Sequence, residues 1–183
     1  MPKIYAGIGG RSTPVNICTL MQQLGRKLAL KGATLRSGGA DGADKAFEKG
    51  CDEVWGSKEI FYAKDWSQRK YPNVPASKWR YIPSNWEKAS EIAAQHHPNW
   101  SFLTPYVRKL HIRNCFQILG FGLQKPADFV LCWTPDGART AGETSPKTGG
   151  TGQAIRVASS YEIRVYNLAV PEDLELAQSW ISQ

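Results

Sequence analysis

Three glycine-rich stretches of this sequence carry residue types suited to holding an anion: GIGGRSTP (7–14), SGGADGAD (37–44) and KTGGTGQA (147–154). Each follows a strand-like segment or its loop and precedes a helical one. Glycine lets the backbone come close to a ligand. The helix behind each turn offers unpaired N–H groups and the positive end of its dipole, an arrangement that suits phosphate. One such turn is a common tight turn; three at matched positions point to a phosphate-bearing ligand. Arg11, next to the first turn, fits a bidentate grip on phosphate and equally a solvated loop. Asp41 fits an N-cap, and Asp44 a partner for a ribose hydroxyl or a brace for the neighbouring loop. Arg113 sits among Leu110, Ile112 and Phe116, so it needs a partner, either a ligand or an internal carboxylate. Asn114 beside it fits a base edge or a loop carbonyl. His96, His97 and His111 form no set with cysteines or carboxylates at metal-ligand spacing, so no metal is expected. There is no G-x-S-x-G elbow and no P-loop lysine pattern.

The segments around these turns read as alternating strands and helices. Residues 3–9, 33–39 and 58–63 are short strands; 13–32, with Gly32 as its stop, and 41–51 are helices. The order βαβαβ predicts an α/β fold on a parallel sheet with right-handed crossovers. Residues 64–85 break this rhythm. The stretch WSQRKYPNVPASKWRYIPSNW (66–86) holds three prolines and five aromatic residues with Arg69, Lys70, Lys78 and Arg80, and reads as an ordered surface insertion. A helix over 86–97 follows, then one over 104–122 with Thr104 as N-cap, Pro105 at its first position and Gly120 and Gly122 near its end. Residues 127–134 read as a buried strand, 135–150 as a polar, mobile loop, 151–161 as a helix, 162–169 as a strand and 171–183 as a helix.

With 183 residues, of which 42% are hydrophobic, the sequence suits one α/β domain with a real core. Its net charge of +7 favours anionic partners, whether nucleotides, nucleic acid or a membrane surface. Cys18, Cys51, Cys115 and Cys132 form no C-x-x-C pair, as expected of free thiols in a reducing compartment. The N-terminus lacks a signal-peptide pattern and no apolar run approaches a membrane span. These features predict a cytoplasmic protein without a membrane partner.

In order, GIGGRSTP, LRSGGADGADKAFEKG, LHIRN, ADFVLCWT, TGGTGQAIRVA and RVYNLAVP resemble the SLOG superfamily, which contains the DNA-processing protein A (DprA) family and the LOG ("Lonely Guy") phosphoribohydrolases. The resemblance covers residues 3–63 and 104–171, leaves out an aromatic-basic insertion at 64–103, and is strongest to compact DprA-like proteins, many of them from bacteriophages. It implies a Rossmann-like parallel sheet flanked by helices in a single domain, 1–183, that binds nucleotide-derived ligands across its glycine turns. The site residues it implies are Gly7, Gly9, Gly10 and Arg11 in the first turn, and Ser37, Gly38, Gly39, Ala40, Gly42 and Asp44 in the second. Arg113 comes from the helix, and Gly149, Gly150, Thr151 and Gly152 from the last turn. LOG enzymes have a P-G-G-x-G-T-x-x-E motif whose glutamate supports N-glycosidic cleavage; here Arg156 stands in the glutamate's place. The carboxylate chemistry is absent there, and a positive charge is added beside the phosphate turns.

The leading expectation is therefore binding, and possible sequestration, of a phosphate-bearing nucleotide-derived molecule. An ADP-ribose-type or cyclic nucleotide immune signal, bound by a phage anti-defence protein in the host cytoplasm, would fit. The first alternative is single-stranded DNA binding through the insertion, whose aromatics and cations suit stacked bases and phosphates; the competing reading is that Trp66, Trp79 and Trp86 pin the insertion to the core. The second is cleavage of a nucleotide derivative by a displaced carboxylate, Asp44 or Glu143. No catalytic residue and no cofactor is expected. A homo-oligomer is expected, with the helix at 104–122 as the apolar face.

Overall fold

Strand β1 (Ile4–Gly7) is buried along its whole length, as an uncharged run must be when both its faces are covered. The computed structural model describes residues 3–63, the backbone of 80–81, and 85–182. After β1 come α1 (Val15–Leu30), β2 (Thr34–Ser37), α2 (Ala43–Asp52), β3 (Lys58–Phe61) and the short β4 (Arg80–Tyr81). Then follow α3 (Trp86–His96), α4 (Pro105–Leu119), β5 (Phe129–Cys132), α5 (Thr151–Ser160), β6 (Arg164–Asn167) and α6 (Pro171–Ser182). The six strands lie in the order β4-β3-β2-β1-β5-β6, every pair parallel. This is the Rossmann-like α/β fold.

Alternation along the strands divides the core into two layers. Tyr5, Leu35, Phe129 and Leu131 pack with Leu24 of α1, Phe47 of α2 and Ala177 of α6. Ala6, Val130, Cys132 and Val165 face the other way, onto Ala89 of α3, Phe116 of α4 and Ile155 of α5. The helix ends follow local chemistry. Thr104 Oγ1 accepts the Val107 N–H and Pro105 opens α4, while Gly120, at φ +76, donates to the Phe116 carbonyl and ends it. The thiols of Cys51, Cys115 and Cys132 are buried and that of Cys18 half-buried, all four unpaired.

Four expectations need correcting. Asp41 does not cap α2: Gly42 holds the N-cap position without a side-chain bond, and Asp41 pairs with Lys45 one turn on. The loop 135–150 is tied down rather than loose. Asp136 accepts Ser145 Oγ at 2.6 Å and the Thr148 hydroxyl, and Glu143 accepts the N–H groups of Arg139 and Thr140. Although burial works the other way, these hydroxyl donors hold the Asp136 carboxyl down at about 2. The helix expected to offer an apolar oligomer face has His111 to Leu119 buried within the chain, so its apolar surface serves the core. Finally, the stretch read as a surface insertion adds a strand to the sheet, β4 against β3; the helix expected over 86–97 forms as α3, with Ala89 and Ala93 fully buried and Trp86 stacked on Phe116 at 5.9 Å between ring centroids. Trp66, Trp79, Arg69, Lys70 and Lys78, and the side chain of Arg80, lie outside the described residues.

One buried charge carries part of the architecture. Arg36 on β2 is 1% exposed. Its Nε donates to Glu59 of β3 at 2.6 Å, and Nη1 to the carbonyl of Lys125 at 2.6 Å. It joins two strands to the chain beyond α4, and satisfaction of its donors is what makes its burial tolerable.

Candidate functional site

The chain runs from β1 outward to β2 and β3, and β5 then pairs on the other side of β1. In open α/β sheets ligands bind beyond the carboxyl ends of the two strands where the order reverses. A cavity of about 550 Å³ lies at that point. Gly9, Gly10 and Arg11 line it after β1, and Trp133 and Pro135 after β5; α4 forms one wall and the Lys147–Thr151 turn another.

The three glycine turns are not equivalent there. A Cβ at Gly9 would lie 2.6 Å from Ala43 Cβ, at Gly42 2.8 Å from the Gly10 carbonyl oxygen, and at Gly39 2.8 Å from the Tyr62 ring. At Gly38 it would lie 1.3 Å from Arg113 Nη1, and at Gly7 2.7 Å from the Phe47 ring. Protein atoms already fill the space that these glycines vacate: the first two turns are packed against each other, against α2 and against Arg113. By contrast, a Cβ at Gly149 or Gly150 would meet nothing within 4 Å, and at Gly10 nothing nearer than 3.6 Å. The room a ligand needs is at the third turn, opposite Gly10.

Asp44 and Arg113 form the strut beneath the cavity. Arg113 Nη1 donates to Asp44 Oδ2 at 3.3 Å, and the same oxygen accepts the N–H groups of Gly38 and Ala40 at 3.0 and 3.4 Å. Of the two roles open to Asp44, the geometry shows the brace, and the carboxylate that Arg113 needs is internal. Burial raises the carboxyl against the pull of Arg113 and of the loop N–H groups. Asn114 Nδ2 donates to the Gly150 carbonyl at 3.1 Å, so α4 also sets the position of the third turn. Thr151 is buried at the start of α5. The N–H groups of Gly150 and Thr151 have no backbone or side-chain partner among the described residues.

Of the expected site residues, Gly7, Ser37, Gly38, Gly39, Gly42, Gly152 and Arg156 do not line the cavity. Ser37 is fully buried beneath the second turn, its hydroxyl donating to Glu48. Arg156 lies across the third turn: its Nε donates to the His96 carbonyl at 2.7 Å and its Nη1 to Thr144 Oγ1 at 3.0 Å. It lines a neighbouring cavity, and Gly152, close to its guanidinium, is absent from the switch-point lining as well. Glu143 also lies away from the cavity, among residues 139–165.

The Ser37–Glu48 pair has a consequence for stability. Burial, partly offset by the Ser37 hydrogen bond, pushes the Glu48 carboxyl up to about 7. The folded chain then keeps a proton that the unfolded chain releases near pH 4.5, so stability falls as pH rises between those values. Glu48→Gln keeps an acceptor for Ser37 without the charge. It is expected to leave the free energy of unfolding unchanged at pH 4 and to raise it by about 1–3 kcal/mol at pH 8. Urea midpoints at the two pH values measure this; equal shifts at both would exclude Glu48 as the titrating group.

Sequence reasoning found Arg113 and Asn114 on α4 but missed two of their polar neighbours in the site. His111 and Gln117 line the cavity with Arg113 and Asn114, and all four are buried. His111 Nδ1, Arg113 Nε and Gln117 Nε2 have no partner among the described residues. Burial first, then the positive charge of nearby groups, brings His111 down to about 4, so it is neutral at pH 7. The signal was present: a helix in the middle of the chain carries His, Arg, Asn and Gln on the face that turns inward. Tyr106, Trp133 and Lys147 also line the cavity. Among the described residues no group of three His, Cys, Asp or Glu side chains is placed to hold a metal, and no helix is long and apolar enough to cross a membrane.

No protein-family model matches the sequence, and no curated protein matches it. Solved structures do. DNA-processing protein A from Helicobacter pylori, described for its single-stranded DNA binding mode, is similar at a TM-score of 0.58 and 18% identity over 99% of this chain and 79% of that one. The molybdenum cofactor carrier protein from Chlamydomonas reinhardtii matches at a TM-score of 0.44 and 12% identity over 100% of both chains. At such identities the first likeness speaks for architecture: this chain has a Rossmann-like fold of the kind seen in DNA-processing protein A.

Proposed function

We propose that the chain binds a phosphate-bearing, nucleotide-derived small molecule in the switch-point cavity, phosphate against the Gly149–Thr151 backbone. One observation carries this reading. Gly150 and Thr151, whose N–H groups have no partner among the described residues, line one cavity with Arg11, Lys147 and three residues, His111, Arg113 and Gln117, that each keep an unpartnered polar atom buried behind its wall. The one carboxylate in its lining among the described residues, Asp44, is engaged by Arg113 and two loop N–H groups. A buried unpartnered donor is costly until something accepts from it, and an anion at a helix start accepts from several at once. Gly10, Gly149 and Gly150 let the ligand reach the backbone; the remaining turn residues act by shaping the walls. Tyr106 and Trp133 suit the apolar face of a base.

Binding without turnover is the favoured mode. Arg156 stands where a LOG-type enzyme has its glutamate, and Asp44 and Glu143 are both engaged in bracing loops. Such a protein would act by holding its ligand, as an anti-defence protein would hold an ADP-ribose-type or cyclic nucleotide signal. Native mass spectrometry of protein purified from cells is expected to show a retained small molecule. Titration calorimetry against ADP-ribose derivatives and cyclic nucleotides is expected to find a binder; silence across that panel would overturn the reading. Chromatographic appearance of products would overturn its non-catalytic part.

Single-stranded DNA binding is the second reading, favoured by the net charge of +7 and by the fold likeness to a protein studied for that property. It predicts oligonucleotide binding that weakens steeply with salt and that is lost when Arg69, Lys70, Lys78 and Arg80 are replaced.

A further inference from the structure

A second, larger cavity of about 870 Å³ lies on the far side of Gly149. Gly149 and His97 line both cavities. The backbone at Gly149 is bare, since a Cβ there would meet nothing within 4 Å.

The chemistry of the second cavity is that of an anion site. Among the described residues no Asp or Glu lines it. Arg156, half-buried, is held by the His96 carbonyl and Thr144 Oγ1, which aligns its guanidinium in advance. Burial and Arg156 lower the pKa of His96 and His97, so at pH 7 both are neutral and Arg156 is the fixed charge. His97 Nδ1 accepts the Asn99 N–H at 3.2 Å, which puts the ring hydrogen on Nε2. Ser160 Oγ donates to the Val157 carbonyl at 2.8 Å and lies 3.2 Å from His96 Nε2. That hydroxyl therefore accepts from His96, whose hydrogen is on Nε2 as well. The guanidinium and the one imidazole N–H left free, that of His97 Nε2, suit phosphate, with His96 committed to Ser160.

Each cavity has the volume of a small-molecule site. We infer that the ligand consists of two nucleotide units joined through phosphate, one unit in each cavity, with the linkage passing over Gly149 beside His97. This rests on the proposed nucleotide binding and extends it: the switch-point cavity alone would take a mononucleotide, and Arg156 makes the second half of the site.

Calorimetry with AMP, the linear dinucleotide pApA, cyclic di-AMP and a ten-residue deoxythymidine oligonucleotide tests it. A dinucleotide, linear or cyclic, is expected to bind at least about tenfold tighter than AMP, since the second contact is made intramolecularly. Arg156→Gln is expected to bring the dinucleotide to the affinity of AMP and leave AMP unchanged. Because Arg156 also ties α3 to the 141–148 segment, Gln95→Glu is the companion variant. Gln95 is exposed on α3 and lines only the second cavity, so a carboxylate there repels a phosphate with little effect on folding. Equal affinity of AMP and both dinucleotides, or equal losses for AMP and dinucleotide in the variants, would overturn the two-unit ligand while leaving mononucleotide binding intact. Binding of none of the four overturns the two-unit ligand, and silence of the ADP-ribose and cyclic nucleotide panel as well overturns both readings. Binding of the oligonucleotide alone would replace both with the DNA reading.

Discussion

Arg113→Met is expected to lower the free energy of unfolding by about 3–5 kcal/mol. Asp44 is 2% exposed and Arg113 8%, and their contact at 3.3 Å joins α2 to α4. Methionine keeps much of the packing volume but leaves a buried carboxylate with only loop N–H groups to hold it. Removing one member of a buried pair costs far more than the pair is worth, because the other charge is stranded. The double variant Asp44→Asn, Arg113→Met is therefore expected to recover a large part of the loss, since an amide needs no countercharge. Urea unfolding of the two single variants and the double measures the coupling. A loss below about 1 kcal/mol for Arg113→Met would show that the pair is not what joins the two helices.

Gly150→Glu is expected to weaken nucleotide binding by at least about 100-fold with little change in stability, within about 0.5 kcal/mol. The backbone at Gly150 has ordinary helical angles, φ −62 and ψ −26, and a Cβ there is unopposed, so folding tolerates a side chain. A carboxylate at the start of α5, however, takes the place proposed for the phosphate and repels it. Gly38→Ala is the opposite case. It adds one methyl, in a sibling turn, but 1.3 Å from Arg113 Nη1, and so must displace the strut; its expected effect is a loss of several kcal/mol in stability. Melting temperatures and calorimetric titrations of the two variants separate the cases. Unchanged affinity in Gly150→Glu would remove the third turn from the site.

The contrast between Gly38 and Gly150 marks how far the sequence could be read. Periodicity, with Thr104–Pro105 and Gly120 as end signals, predicted the helices and every strand but β4 within a few residues of where they lie, because those signals act through bonds among near neighbours; the two-residue β4 is too short to carry a period. The arginine amid apolar residues at 113 already demanded a partner. Which partner was open, because Asp44 is 69 residues away along the chain. Glycine is a weak witness in the same way: the residue type shows that space is needed, not whether a ligand or the protein's own side chain takes it. Gly9, Gly38 and Gly42 proved to give way to Ala43, Arg113 and the first turn.

From residue types and spacing alone followed the parallel α/β architecture, the three glycine turns before helices and the basic charge, since each rests on local propensity or on composition. Only the tertiary structure decided the rest. It made Asp44 a brace, set Arg156 beyond Gly149, turned α4 into the core with its polar row facing the cavity, and left one turn of three open. Those outcomes depend on which distant side chain reaches a given volume first, and close packing lets just one of them have it.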